Sequence, residues 1–139
     1  MNNYCFVALL SFCLFGLTSQ AETCNCFSYL IAENGLSSEN VITQTEYKLE
    51  KPKCDGDGLM ECKNFCINLY KDLTDNGKTC VKMTGSSKLV ADWMCEALKR
   101  SVCNARVGVF IQGCGSDIID TGFRFQEAIC CKGLKSIHC

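Results

Sequence analysis

Hydrophobic and polar positions along the chain fall into one long apolar run followed by short stretches of period two or of period three to four. The run extends roughly from Tyr4 to Leu17, and positions 1–21 carry no charged side chain. It is shorter than the roughly 20 apolar residues that a membrane-crossing helix needs, and it closes on Thr18, Ser19, Gln20 and Ala21, small or polar residues suited to signal-peptide cleavage. The reading is a secretory signal peptide over 1–21 and one extracellular domain over 22–139. No second apolar run of spanning length follows, so no membrane span is expected after cleavage.

Beyond that run, Phe27, Tyr29 and Ile31 recur at period two before the Asn34-Gly35 turn signal, which predicts a short strand. After the polar stretch 36–40, Val41, Thr43, Thr45, Tyr47 and Leu49 alternate with Gln44, Glu46, Lys48 and Glu50, predicting a half-exposed second strand that Pro52 ends. Period then lengthens. Leu59, Cys62, Cys66, Leu69, Tyr70 and Leu73 lie on one face of a predicted helix, with Asp55 or Asp57 as its cap and Asn76-Gly77 as its stop. Cys62 and Cys66, one turn apart, are placed to staple this helix to two other segments. A second helix is predicted from Ser86 or Ser87 to near Cys103, carrying Leu89, Val90, Trp93, Met94, Ala97 and Leu98. Val107, Val109, Phe110 and Ile111 lead to Cys114 as a strand, and Phe123 and Phe125 precede a final strand at 128–131. The sum is a small disulfide-rich α+β domain with about two helices and several short antiparallel strands.

Composition changes this picture through cysteine. Signal cleavage removes Cys5 and Cys13 of the 14 and leaves twelve: Cys24, Cys26, Cys54, Cys62, Cys66, Cys80, Cys95, Cys103, Cys114, Cys130, Cys131 and Cys139. An even count at this density in a short secreted chain predicts a disulfide framework formed in the oxidising secretory pathway. Spacing does not select a connectivity, although adjacent Cys130 and Cys131 should bond to different partners and tie two layers together. Charge is nearly balanced, 14 Lys+Arg against 15 Asp+Glu. Without a basic field, nucleic acid and anionic lipid are not expected partners.

The catalytic inventory is thin. His138 is the only histidine and is expected at the surface, outside any triad. Cys24-x-Cys26 lacks the C-x-x-C spacing of redox motifs, and paired zinc knuckles are missing, so structural bridges rather than thiol catalysis or zinc are expected. Asp55, Asp57 and Glu61 lack the glycine placement and distal glutamate of a calcium loop, which leaves helix capping as their role. No catalytic residue, metal or cofactor is assigned. Contact surfaces are expected among the polar, glycine-punctuated loops 34–40, 74–79 and 115–122.

The cysteine order carries a resemblance. A C-x-C near the mature start, Cys54, Cys62-x-x-x-Cys66 on a helix, Cys80, Phe110-Ile111-Gln112-Gly113-Cys114, Cys130-Cys131-Lys132 and Cys139 resemble the insect follicle cell protein family of small secreted cysteine-rich proteins. Cys95 and Cys103 supply one more helical cysteine than that pattern holds. The resemblance implies secretion around the oocyte and an eggshell role, with no catalytic residues. The expected function is therefore a non-enzymatic extracellular structural or protein-binding component acting on a protein or matrix partner. A secreted effector, such as a venom or salivary toxin or a protease inhibitor, is the alternative, and a hydrolase comes third.

Overall fold

The computed structural model describes residues 23–32, 35–49 and 55–139; the signal-peptide reading and Cys54 lie outside the described residues. In chain order the elements are β1 (Thr23–Ile31), a short 3-10 helix (Ser38–Asn40), β2 (Val41–Lys48), α1 (Gly56–Leu73), α2 (Val90–Leu98), β3 (Val102–Gly113), β4 (Ile119–Arg124), β5 (Ile129–Lys132) and β6 (Lys135–Ser136). This is a small disulfide-rich α+β domain. All strand pairings are antiparallel, and β3 is the central strand. On one edge it pairs with β1 from Cys24↔Gly113 to Ile31↔Arg106, and β1 in turn pairs with β2. On the other edge β4 and β5 follow one another, with Ile111↔Ile119 and Gly108↔Arg124 succeeded by Ala105↔Ile129 and Val102↔Cys131.

Alternation along the strands divides the buried residues between two faces. Cys24, Cys26 and Leu30 of β1, with Ala105, Val107, Val109 and Ile111 of β3, join Cys62, Cys66 and Tyr70 of α1 and Val90, Met94, Cys95 and Leu98 of α2 in the main core. Both helices therefore cover the same face. The opposite face holds a smaller cluster of Phe27, Tyr29 and Phe110, flanked by Ile31, Val41 and Ile118, in which Tyr29 meets Phe110 edge-on at 5.4 Å between centroids. The period-two residues Phe27, Tyr29 and Ile31 that announce the first strand thus lie on the face away from the helices. A bulge opposite Ser28 and Tyr29 interrupts the alternation of β2: Val41 joins the aromatic face, whereas Tyr47 and Leu49 pack on the main core.

α1 begins where expected, because the Asp55 carboxylate accepts the Gly58 N–H at 2.9 Å. α2 departs from expectation at both ends. Ser86 and Ser87 do not start it: Lys82 pairs with Leu89, Met83 N–H bonds Lys88 O, and 82–89 form a tight antiparallel turn. The first helical amides, on Val90 and Ala91, are taken by the carbonyls of Val81 and Thr79, so the helix starts without a side-chain cap. Lys99 then closes it in the left-handed region at φ 54°. β3 starts at Val102, which makes Cys103 a strand residue and not the helical cysteine expected from sequence.

Five disulfides are described: Cys24–Cys62, Cys26–Cys66, Cys80–Cys139, Cys95–Cys131 and Cys103–Cys130. Cys114 is also disulfide-bonded. Cys62 and Cys66 do not reach two segments as expected; both bond β1. The reason is a match of rises. Two residues of strand advance about 6.6 Å and four residues of helix about 6 Å, so C-x-C on the strand meets C-x-x-x-C on the helix rung for rung. Cys130 and Cys131 do take different partners. Cys131 crosses to α2, whereas Cys130 stays within the sheet and bonds the neighbouring strand β3.

Buried polar groups beneath α1 are satisfied in a chain. Ser28 Oγ and Thr43 Oγ1 are 2.6 Å apart across β1 and β2, and Thr43 Oγ1 is 2.6 Å from Tyr70 Oη. Burial of Tyr70 raises the pKa of its phenol above 10.0, because the phenolate is poorly solvated there; the Thr43 and Ser28 hydroxyls oppose the shift.

Candidate functional site

The segment 128–139 is held more densely than any local propensity would require. Gly133 and Leu134 form the two-residue turn of the β5–β6 hairpin, with Gly133 at φ +60°, the sign that a first central position of this kind demands. Leu134 stands at the apex. Cys95–Cys131 ties the hairpin to α2, Cys103–Cys130 ties it to β3, and Cys80–Cys139 fastens its outgoing end. Backbone amides add further points: Gly133 N–H donates to Ser101 Oγ at 3.0 Å, Ser136 N–H to Asp92 Oδ1 at 2.9 Å and Ile137 N–H to Cys130 O at 2.9 Å.

On this fixed frame two large apolar side chains face solvent, Leu134 at 56% and Ile137 at 61% exposure. Ile137 borders an open pocket of about 360 Å³ lined also by Ser101, Val102, Cys103, Cys130, Cys131 and Lys132. Lys99, Arg100, Lys132 and Lys135 are exposed in the same two segments. Residues 97–116 and 128–139 contain no Asp or Glu, although the whole chain is nearly neutral. Two exposed apolar side chains thus stand in a stretch of chain rich in exposed cations, with the Asp92 carboxylate engaged at the Ser136 amide.

His138 is better held than a terminal surface residue would be. Its Nδ1 lies 3.1 Å from the Cys130 N–H and 3.0 Å from Ser136 Oγ, and its Nε2 lies 3.1 Å from Thr79 Oγ1. Thr79 Oγ1 is 3.1 Å from Glu127 Oε2, which also accepts the Thr79 N–H at 2.9 Å. The surface placement expected from sequence is corrected: the ring is half-buried and bridges three segments. Proton positions follow from one fixed donor. A backbone N–H only donates, so Nδ1 accepts, the ring proton sits on Nε2, and the Thr79 hydroxyl donates to Glu127. Ser136 shares an Nδ1 lone pair already engaged by Cys130, and Thr79 is fully buried. The arrangement anchors the chain and leaves the imidazole poorly placed as a base.

Other sequence-derived candidates are placed as follows. Asp55 caps α1, while Asp57 and Glu61 are exposed on its first turns. Cys24, Cys62 and Cys66 converge, as do Cys80, His138 and Cys139, within ligand distance of a common point. Their sulfurs are joined in disulfides, not presented as thiolates. Of the three expected contact loops, 74–79 folds inward at Thr74, Gly77 and Thr79, and 35–40 contains the 3-10 turn. The loop 115–122 is largely exposed and runs into β4. Leu134 and Ile137 are not marked by the apolar pattern, since they follow the glycine of a tight turn and show no periodicity. Their flanking cysteines were the available signal.

Asp120 and Arg124 form a second ordered surface group, on the aromatic face. Arg124 contacts Asp120 through two bonds of 2.9 and 2.6 Å and lies 5.7 Å over the Phe110 ring. Hydrogen bonding from Arg124 holds the Asp120 carboxyl below its ordinary range.

Compared with known proteins, the chain matches no family model, no curated protein and no solved structure.

Proposed function

We propose that this chain is a secreted, non-enzymatic protein that works by binding another extracellular protein through the face built from residues 99–103 and 130–137. The observation that carries the reading is the exposure of Leu134 and Ile137 on a hairpin fixed by neighbouring disulfides. A rigid apolar apex loses little conformational freedom on association, and its cationic margin selects partners with acidic surfaces. The disulfide framework suits a chain exported to an oxidising compartment, in line with the signal-peptide reading of 1–21. None of the described helices is long and apolar enough to cross a membrane. The resemblance in cysteine order to insect follicle cell proteins supports an eggshell or matrix setting. An inhibitor that lies extended in a protease cleft is a poorer account, because the exposed apex is a two-residue turn.

A photoreactive residue at position 134, with a control at exposed Gln44 on β2, tests the reading in the secreted fraction of the producing tissue. The expected result is one adduct specific to position 134, lost at high salt and competed by unmodified protein but not by an L134D/I137D variant of unchanged thermal stability. Equal labelling from both positions, or competition by the double variant, would overturn it.

A further inference from the structure

We propose that Cys103–Cys130 is a thiol–disulfide exchange site, opened by an external dithiol while the rest of the framework stays closed. The described bridges fall into two groups by burial. Cys24–Cys62, Cys26–Cys66 and Cys95–Cys131 lie in the core with every sulfur-bearing residue nearly inaccessible. Cys103 is exposed and Cys130 half-buried, and both line the open pocket of about 360 Å³. An attacking thiolate must approach a disulfide sulfur along the S–S axis, and open space beside both cysteines provides that approach.

Among the bridges whose two cysteines are both described, charge favours this one over the other accessible one, Cys80–Cys139. Lys132 lines the same pocket as Cys103 and Cys130, where its ammonium attracts an incoming thiolate and stabilises the one released. Beside Cys80, by contrast, Thr79 binds the Glu127 carboxylate, a negative group that opposes both.

Position in the fold makes opening tolerable. Cys103 and Asn104 together oppose Cys130 in a bulge between the Val102↔Cys131 and Ala105↔Ile129 pairs, with Asn104 at φ +52°. These flanking pairs keep β5 on β3, and the adjacent Cys95–Cys131 bridge holds β5 covalently to α2. The two cysteine Cα atoms are 3.9 Å apart, so the thiols remain neighbours after reduction and can close again.

The step conserves atoms and electrons. One thiolate of the dithiol attacks the Sγ of Cys103 or Cys130, the protein S–S bond breaks, and the other cysteine leaves as a thiolate that takes up a proton. The second thiol of the reagent then loses its proton and displaces the first cysteine from the mixed disulfide. Two electrons pass to the protein, which gains two thiols, and the dithiol becomes a cyclic or intramolecular disulfide.

Graded reduction of the folded protein with dithiothreitol, followed by alkylation and peptide mapping, tests the proposal. Cys103 and Cys130 should label as a pair at a reductant concentration about tenfold below that needed for any other bridge, with an unchanged near-ultraviolet circular dichroism spectrum. Prior opening of Cys80–Cys139, or labelling of all bridges together, would overturn it. A C103S/C130S variant should fold with the other bridges intact; failure to fold would make the bridge structural and defeat the proposal. Incubation with a single-cysteine form of a thioredoxin-type dithiol protein tells the two sources apart. A mixed disulfide mapped to Cys103 or Cys130 identifies a protein reductant, and reaction with dithiothreitol alone identifies a small dithiol.

Discussion

The sulfur of Cys24 lies 3.6 Å from that of Cys66, although the two belong to different disulfides. This contact arises because Cys24–Cys62 and Cys26–Cys66 are stacked as successive rungs between β1 and α1. The stack forms the centre of the main core, with Tyr47 and Phe65 meeting edge-on at 4.9 Å among the partly buried residues packed against that core. Strand and helix are thereby held at a fixed spacing before any of the weaker contacts is counted.

Removing one rung should cost less than its loop length implies. Closing a 38-residue separation restricts the unfolded chain by about 4 kcal/mol in the entropic account. The second rung closes almost the same loop, so with either one intact most of that restriction remains. C24A/C62A and C26A/C66A are each expected to lose about 1–2 kcal/mol, and the quadruple variant more than the sum of the two. Denaturant midpoints of the three variants check this; simple additivity would show that the rungs act independently.

How much of this was legible in the sequence depends on which interaction decides each element. α1 was readable because a local cap at Asp55 and a strict apolar stripe agree with one another. The start of α2 was not, because carbonyls of Thr79 and Val81, brought in by the chain reversal at 82–89, outcompete the local serine caps. Val41 was assigned to the wrong face for a similar reason: a bulge is a property of two paired strands, not of one. The matching of Cys24-x-Cys26 to Cys62-x-x-x-Cys66 was present as spacing, yet only knowledge of which strand underlies which helix turns it into a pairing. The Leu134–Ile137 surface was hidden because the two residues show no periodicity; the flanking cysteines mark the segment as fixed, not its side chains as exposed.

Alkaline pH should weaken the fold through Tyr70. Its pKa is raised in the folded state above the ordinary value of 10.0, first by burial. The native state therefore retains a proton that the unfolded chain gives up, and stability falls as pH rises through the ordinary phenol range towards the folded-state value. Absorbance titration at 295 nm should show a phenol component above that range. In Y70F this component should shrink to the part owed to Tyr29, whose phenol pKa is also raised by burial, and the alkaline loss is reduced. The substitution itself should cost about 0.5–1.5 kcal/mol at neutral pH, since Ser28 and Thr43 keep their mutual bond. An unchanged alkaline limb in Y70F would assign the effect elsewhere.

Acid should act through Asp120 in the opposite direction. Its folded-state pKa is lowered, chiefly by Arg124, so its contribution is present above the ordinary carboxylate value of 3.8 and is lost as pH falls through the folded-state value. Both side chains are more than a third exposed, which limits the effect to below about 1 kcal/mol. Gly108 makes the arrangement possible: a Cβ there would lie 2.8 Å from Arg124 Nη1 and 3.1 Å from Ile31 Cδ1. G108A should expel the guanidinium from its place over Phe110 and move the Asp120 titration up towards the ordinary range, with the Gly122 N–H still holding part of the lowering, as followed by carboxyl NMR. D120N should remove the acid limb and leave Gly108 unaffected. An Asp120 pKa unmoved in G108A would show that the place of Arg124 over Phe110 is not needed for its bond to Asp120.

His138 separates an anchoring role from a catalytic one. With Nδ1 accepting from the Cys130 amide and Nε2–H donating to Thr79, the neutral ring should show nitrogen shifts of the Nε2-protonated tautomer. H138A would leave the Cys130 N–H and the buried Thr79 each short of a partner, for an expected loss of about 1–3 kcal/mol. S136A should change stability by less than about 0.5 kcal/mol, because the Cys130 amide still fills Nδ1. Opposite behaviour is expected of a nucleophile and its base: S136A would then abolish turnover across an ester and peptide panel while barely moving stability, and H138A would follow it. If the wild-type chain turns over no such substrate and only H138A shifts the melting temperature, the ring is an anchor. It ties the outgoing end of the β5–β6 hairpin to Thr79 and through it to Glu127, which is the fixation that the proposed binding role of the apex requires.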